Sequence, residues 1–158
     1  MKQIIVLLLL ISGCSRAQEP AMVPAGGTIY LVRHAEKDTG KNPALTRAGQ
    51  ERAQELVNRL GQQPITRIYM TAYKRSVLTG DPLRLRLGAD STIYTPDTTG
   101  AGLFERMKMH QDTHLVVVAH SNTIPHLIRK FGVKDFPAGD LPDHAYDKIY
   151  MIRNTNGR

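Results

Sequence analysis

The chain has no tryptophan, three phenylalanines and a single cysteine among its 158 residues. One cysteine excludes an intramolecular disulfide, so packing has to hold the fold. Few large rings are available for nucleic-acid bases to stack on. The 21 lysines and arginines are scattered singly rather than clustered, so the formal charge of +7 is not read as a nucleic-acid interface. Positive charge of this kind also raises the local concentration of small anionic ligands. A bilayer-spanning run is missing as well: the apolar stretch Ile4 to Ile11 has eight residues, against the ~20 that a transmembrane helix needs. What is present is ordinary for a globular protein, with 41% hydrophobic and 22% charged residues and enough chain for one compact domain.

The apolar stretch follows Met1-Lys2 and has the length of a secretory signal core. It ends in Ile11-Ser12-Gly13-Cys14, which looks like a bacterial lipobox and gives the only cysteine a purpose as the acylated residue. The alternative is ordinary cleavage after Ala17, since Ser15-Arg16-Ala17 is also a small-x-small site. The expected organisation is a lipoprotein signal over 1–13, a Pro- and Gly-containing linker over 14–27, and one domain over 28–158. The expected location is the bacterial cell envelope, on the periplasmic side and anchored to the membrane surface, or soluble and exported if cleavage follows Ala17.

Thr28 to Val32, Arg67 to Met70, Ser91 to Tyr94, Leu115 to Ala119 and Lys148 to Ile152 are short apolar or β-branched runs that predict strands. Thr46 caps a helix with apolar positions Ala53, Leu56, Val57 and Leu60, stopped by Gly61. A second helix starts near Lys74 and is limited by Gly80 and Pro82. A third covers Gly102 to Met109, and a fourth runs through Ile124, Leu127, Ile128 and Phe131 to Gly132. Strands alternating with helices at this spacing predict a three-layer α/β/α sandwich around a mostly parallel sheet.

Ligand sites of open α/β sheets lie beyond the carboxyl ends of the strands. Arg33-His34-Ala35-Glu36 follows the first strand, Thr71 to Arg75 the second, and His120-Ser121-Asn122-Thr123 the strand at Leu115 to Ala119. Two histidines and two arginines therefore converge on one sheet edge. Guanidinium groups grip phosphate oxygens in pairs and stabilise the charge of a transferring phosphoryl group. Positive charge beside an imidazole keeps it neutral and nucleophilic. The set fits phosphoryl transfer through a phosphohistidine. Pro125, near the start of the fourth helix, places a helix N-terminus by His120. The other histidines, His110, His114, His126 and His144, lack metal-ligand spacing, and no cofactor is called for.

Four ordered motifs carry a family resemblance. Leu31-Val32-Arg33-His34-Ala35-Glu36 resembles the Arg-His-Gly/Ala-Glu motif of the histidine phosphatase (phosphoglycerate mutase-like) superfamily. Leu45 to Gln50 resembles its Leu-Thr-x-x-Gly helix start. Met70 to Thr79 resembles the segment bearing the second arginine, and Val118 to Thr123 the Gly-His-Ser motif, with Ala119 in place of glycine. The match runs in order from about Thr28 to Ile152. It implies that His34 is the nucleophile and that Arg33, Arg75 and His120 bind the transferred phosphate of a small phosphorylated substrate. Glu36, Ser121 and Asn122 stand next to these residues as further substrate contacts; Ser121 and Asn122 read as helix caps ahead of phosphate ligands, and Glu36 also as a group that orients Arg33.

The resemblance thins after the third strand, where many members carry a carboxylate that protonates the leaving group. In Tyr94 to Gly100, Asp97 is the one acid available for that role, and it also suits a turn after Pro96. A site without a strong general acid favours good leaving groups: phosphohistidine, acyl phosphate or diphosphate. The short segment between Arg75 and His120 leaves no lid, which resembles the minimal phosphohistidine-phosphatase branch more than the mutases. Asp143 and His144 are placed to border the pocket, and Tyr146-Asp147 reads as structural. A phosphoglycerate mutase and a lipid-anchored phosphate-binding module without turnover remain the alternatives.

Overall fold

The computed structural model describes residues 23–154; the signal stretch and Cys14 lie outside them. Nine elements alternate along the chain: β1 (Thr28–Arg33), α1 (Arg47–Leu60), β2 (Arg67–Thr71), α2 (Lys74–Leu87), β3 (Asp90–Tyr94), α3 (Ala101–His110), β4 (His114–Ala119), α4 (Ile124–Lys130) and β5 (Ile149–Arg153). The strands form one sheet in the order β3-β2-β4-β1-β5. Pairing is parallel throughout the first four, and β5 runs antiparallel to β1.

Strand side chains alternate between faces, so each central strand feeds two cores. Ile29, Leu31, Leu115 and Val117 pack with Leu103, Phe104, Ile124 and Leu127 of α3 and α4 on one face. Tyr30, Val32, Val116 and Val118 pack with Leu56, Leu60 and Leu83 of α1 and α2 on the other. These strand residues are buried on both faces because helices cover both, which is why their sequence is almost continuously apolar. Each fully buried Leu, Ile or Val contributes about 1.5–3 kcal/mol over exposure. The three-layer arrangement follows directly.

Three boundaries differ from expectation. The linker ends earlier than 27: Val23 is buried in the core, and its carbonyl accepts from Asn154 Nδ2 at 2.7 Å. Helix α2 does not stop at Gly80 or Pro82 but continues to Leu87, where Gly88 closes it at φ 64°. An interior proline costs about 3 kcal/mol, and packing offsets it here. Leu83 is fully buried beyond the proline, and Gly80 lets the helix press onto the sheet, since a Cβ there would sit 2.6 Å from Met70 Sδ. Finally, α4 ends at Lys130, with Phe131 as its cap rather than its last turn.

The start of α1 is docked equally closely. Thr46 Oγ1 accepts from Gly49 N at 3.1 Å, and Thr46 N donates to Glu36 O at 2.9 Å. A Cβ on Gly49 would meet that Glu36 carbonyl oxygen at less than any allowed contact. Glycine-to-alanine changes in helices normally stabilise by up to about 1 kcal/mol. Gly49→Ala is expected to do the reverse, lowering stability by more than about 1 kcal/mol in urea unfolding because the obstacle is backbone.

Candidate active site

Sheet pairing alone brings the two histidines together. In the β1–β4 register Arg33 lies opposite Ala119, so His34 and His120 are the next residues on adjacent parallel strands. Adjacent strands run about 4.8 Å apart, and the two imidazole centroids lie 5.2 Å apart, edge to face. His34 N donates to Ala119 O at 2.9 Å, which extends the ladder by one bond and fixes the backbone of His34. On the far side of β4, β2 contributes Thr71, whose Oγ1 is 3.1 Å from His120 Nε2.

Both rings are buried, His34 to 4% exposure and His120 to 7%. His34 Nδ1 is 2.9 Å from the Ala35 carbonyl. A carbonyl only accepts, so Nδ1 carries the proton and Nε2 keeps the lone pair. Burial lowers the His34 pKa to about 4; the Ala35 bond opposes this, and the charges of Arg75, Arg33 and Lys37 reinforce it. Burial, then His34, Arg75 and Arg33, lower His120 to about 3. At neutral pH both imidazoles are uncharged, the state in which a ring nitrogen can attack an electrophile.

The two arginines are held differently. Arg33 is 8% exposed; its Nη1 donates to Pro142 O at 3.0 Å and Asp143 O at 3.1 Å, and its guanidinium lies 4.1 Å over the Tyr146 ring. Arg75 lies 4.2 Å over the Tyr73 ring and makes no side-chain hydrogen bond among the described residues. The Nε of each arginine is buried without a partner. An unpaired buried donor is costly, and an anion would satisfy it. Arg67, at the opposite edge of the sheet, shows the contrast: it is paired with Asp112 at 2.7 Å and Asp90 at 2.9 Å. Positive charge on the histidine edge is left uncompensated, whereas Arg67 is neutralised.

Hydroxyl groups lock these segments to one another. Thr79 Oγ1 accepts from Ala35 N at 2.9 Å and donates to Arg75 O at 2.6 Å, tying the turn after His34 to the helix that carries Arg75. Ser76 Oγ accepts from Thr71 N at 3.0 Å and donates to Val118 O at 3.3 Å. Thr123 Oγ1 accepts from His120 N at 3.1 Å.

The remaining sequence candidates find other places. Glu36 is paired with Arg52, not Arg33: its carboxylate accepts from Nε at 3.0 Å and from Nη2 at 2.7 Å. Asp97 accepts from Thr99 Oγ1, Ala101 N and Gly102 N at the start of α3. Those bonds, that of Thr99 foremost, hold its carboxyl below the usual carboxylate range. This is the opposite of what a proton donor needs. Neither Ser121 nor Asn122 caps α4; Thr123 takes the N-cap position, Ser121 gives only its carbonyl to Leu141 N at 3.0 Å, and Asn122 is exposed. Asp143 and His144 are exposed as well, and Asp143 serves through its backbone. Thr71, Tyr73, Thr79 and Tyr146 support these side chains from around them, contacts that are not read from sequence alone.

A cleft of about 330 Å³ opens on the α1 side of Arg33, lined also by Thr79, Tyr146, Arg52, Arg59 and Lys148. Of its cations, Arg52 is engaged by Glu36, Lys148 by Asp147 and Arg59 by the Asp147 carbonyl, and neither histidine lines it. The unpaired donor of Arg75 and both imidazoles lie on the histidine edge, and of these arginines and histidines only Arg33 also lines the cleft. Among the described residues no three His, Cys, Asp or Glu side chains group as metal ligands.

Known proteins share this fold. The family model of the histidine phosphatase superfamily (branch 1) matches residues 29–97, which contain Arg33, His34 and Arg75. No curated protein sequence matches the chain significantly. Among solved structures, YhfR of Bacillus stearothermophilus superposes with TM-score 0.64 at 16% identity, over 80% of this chain and 90% of its own. The mycobacterial glucosyl-3-phosphoglycerate phosphatase in complex with VO3 gives 0.59 at 16% identity, over 82% and 98%. A protein from Agrobacterium tumefaciens assigned as the phosphohistidine phosphatase SixA gives 0.56 at 18% identity, over 68% and 79%. At such identities the superpositions establish the fold. The chain thus shares the fold of these phosphatases, and its residues 29–97 are similar to branch 1 of the histidine phosphatase superfamily.

Proposed function

We propose that this phosphatase works without a metal, through a phosphohistidine on His34. The observation that carries the reading is the pair of neutral imidazoles 5.2 Å apart beside two buried guanidiniums with unpaired Nε donors. The substrate phosphate binds Arg33, Arg75 and His120. Nε2 of His34 attacks phosphorus in line, the N–P bond forms, and the bond to the leaving group breaks with its electron pair. Water then attacks phosphorus, releasing phosphate and returning the lone pair to Nε2. Arg33 and Arg75 stabilise the charge on the equatorial oxygens in both steps.

The substrate class follows from the missing acid. Glu36 and Asp97, the two carboxyls considered for the site, are both held ionised, by Arg52 and by the start of α3 respectively. With no carboxylic acid to protonate it, the departing group has to carry its own negative charge or arrive already protonated. Phosphoramidates, acyl phosphates, diphosphates and aryl phosphates meet that condition; simple alkyl phosphates do not. The Ile11 to Cys14 motif and the apolar run before it support an exported, lipid-anchored setting, with substrates drawn from outside the cytoplasm.

Purified protein is expected to hydrolyse p-nitrophenyl phosphate in EDTA and His34→Ala to do so at background rate; dependence on added metal would overturn the reading. With p-nitrophenyl phosphate, kcat/KM is expected to exceed that with glycerol phosphate by at least roughly a hundredfold, the usual contribution of general acid catalysis. Equal rates would show that a proton donor is present after all. Protonating His34 removes its lone pair, so activity is present above its pKa and lost below it. After correction for substrate ionisation, kcat/KM is expected to hold to about pH 5 and to fall tenfold per pH unit below about 4. An acid limb near pH 6.5, the value of an unperturbed histidine, would contradict that assignment.

A further inference from the structure

We infer that Tyr73 is the positioning residue for Arg75, an aromatic plate that orients the second phosphate-binding guanidinium while leaving its N–H donors free for substrate. The inference rests on the phosphate site proposed above and adds to it a residue outside the catalytic set.

Three observations meet at Tyr73. First, Tyr73 occupies the N-cap of α2 and makes no side-chain capping bond. Ser, Thr, Asp or Asn at that position would stabilise the helix by about 1 kcal/mol. The cap is supplied from elsewhere, by Asn42 Oδ1 accepting from Lys74 N at 3.0 Å. A tyrosine here works against local helix preference, and it is also 42% exposed, so core packing does not account for it. Such local inconsistencies concentrate at functional sites.

Second, the ring touches the chemistry on two sides. Arg75 lies 4.2 Å over its face, and His120 meets it at 90° with centroids 5.5 Å apart. Third, the two arginines differ in what holds them. Arg33 has two carbonyls and Tyr146. Arg75 has Tyr73 alone, with no hydrogen bond to its guanidinium among the described residues. A carboxylate partner would fix Arg75 more firmly but would occupy the donors and cancel the charge that phosphate needs. A ring face attracts the cation without accepting those N–H groups in-plane. Such a contact orients the fork and keeps all of its N–H groups available.

The consequence is specific: the face of the ring matters, its hydroxyl does not, and the effect passes through Arg75. The test is a double-mutant cycle read by orthovanadate binding in calorimetry, which requires no turnover, with kcat and KM for p-nitrophenyl phosphate alongside. Tyr73→Leu is expected to weaken vanadate binding about fivefold to tenfold, the worth of a cation–π contact of about 1 kcal/mol, and to raise KM as well as lower kcat. Tyr73→Phe is expected to stay within about twofold of the parent on the same scale. In the Arg75→Met background, Tyr73→Leu is expected to have no further effect, the signature of coupling between the two side chains. Unfolding in urea identifies any variant whose loss is one of folding. Vanadate binding unchanged in Tyr73→Leu, or weakened equally with and without Arg75, overturns the inference. A parent protein that neither binds vanadate nor turns over substrate overturns the phosphatase reading itself.

Discussion

The site depends on the parallel pairing of β1 with β4, in the register that sets Arg33 opposite Ala119. The whole candidate site is measured from that ladder. It makes His34 and His120 neighbours at strand spacing, and the bond from His34 N to Ala119 O extends it into the site. A slip of one residue would turn His34 onto the other face of the sheet. The register is protected by burial on both faces: Leu31, Val117, Val32 and Val118 each fit a different core, and no shifted pairing keeps both filled. The apolar core on either side thus fixes a polar geometry at its edge.

Around that pair the fold arranges charge without neutralising it. Arg67 meets carboxylates at the opposite edge, and Arg52 takes Glu36, two residues after His34. That leaves Arg33 and Arg75 with carbonyls and ring faces, contacts that orient a cation and leave its charge intact. The same burial and positive charge that would bind phosphate also hold both imidazoles neutral. In the proposed mechanism, nucleophile activation and anion binding therefore have one physical origin. The absence of an acidic partner is part of the same arrangement, and it connects the electrostatics of the site to the kind of leaving group it can expel.

Much of this was legible in sequence, for a definable reason. His34, Arg75 and His120 lie just beyond strands whose apolar character is unmistakable, and topology alone sends such positions to one edge. Thr46 and Gly61 delimit α1 as read, because capping is local chemistry. Gly80 and Pro82 misled because they are helix breakers only in isolation; the contact of Gly80 with Met70 and the burial of Leu83 are tertiary and override them. Glu36 was placed beside Arg33 by adjacency, whereas its partner Arg52 comes from the far end of a helix turn sixteen residues on. Ser121 and Asn122 resemble caps, yet Thr123 takes the N-cap position, makes no side-chain capping bond and turns its hydroxyl back to His120 N. The carbonyls of Pro142 and Asp143 that hold Arg33 carry no sequence signal at all. Tyr73 did carry one, an aromatic ring at a helix N-cap, which acquires meaning only once the guanidinium over it is seen.

The central claim is that His34 accepts the phosphoryl group covalently. Its most direct test is to stop the reaction of the protein with an aryl phosphate by rapid quench, digest under alkaline conditions and map the phosphorylated peptide by mass spectrometry. The account predicts one phosphoryl group on the peptide containing His34, stable in alkali and labile in acid, absent when inorganic phosphate is added to unreacted protein at trace concentration. A quenched protein that turns over substrate yet carries no phosphoryl group, or carries it on His120 or Ser121 instead, would contradict it.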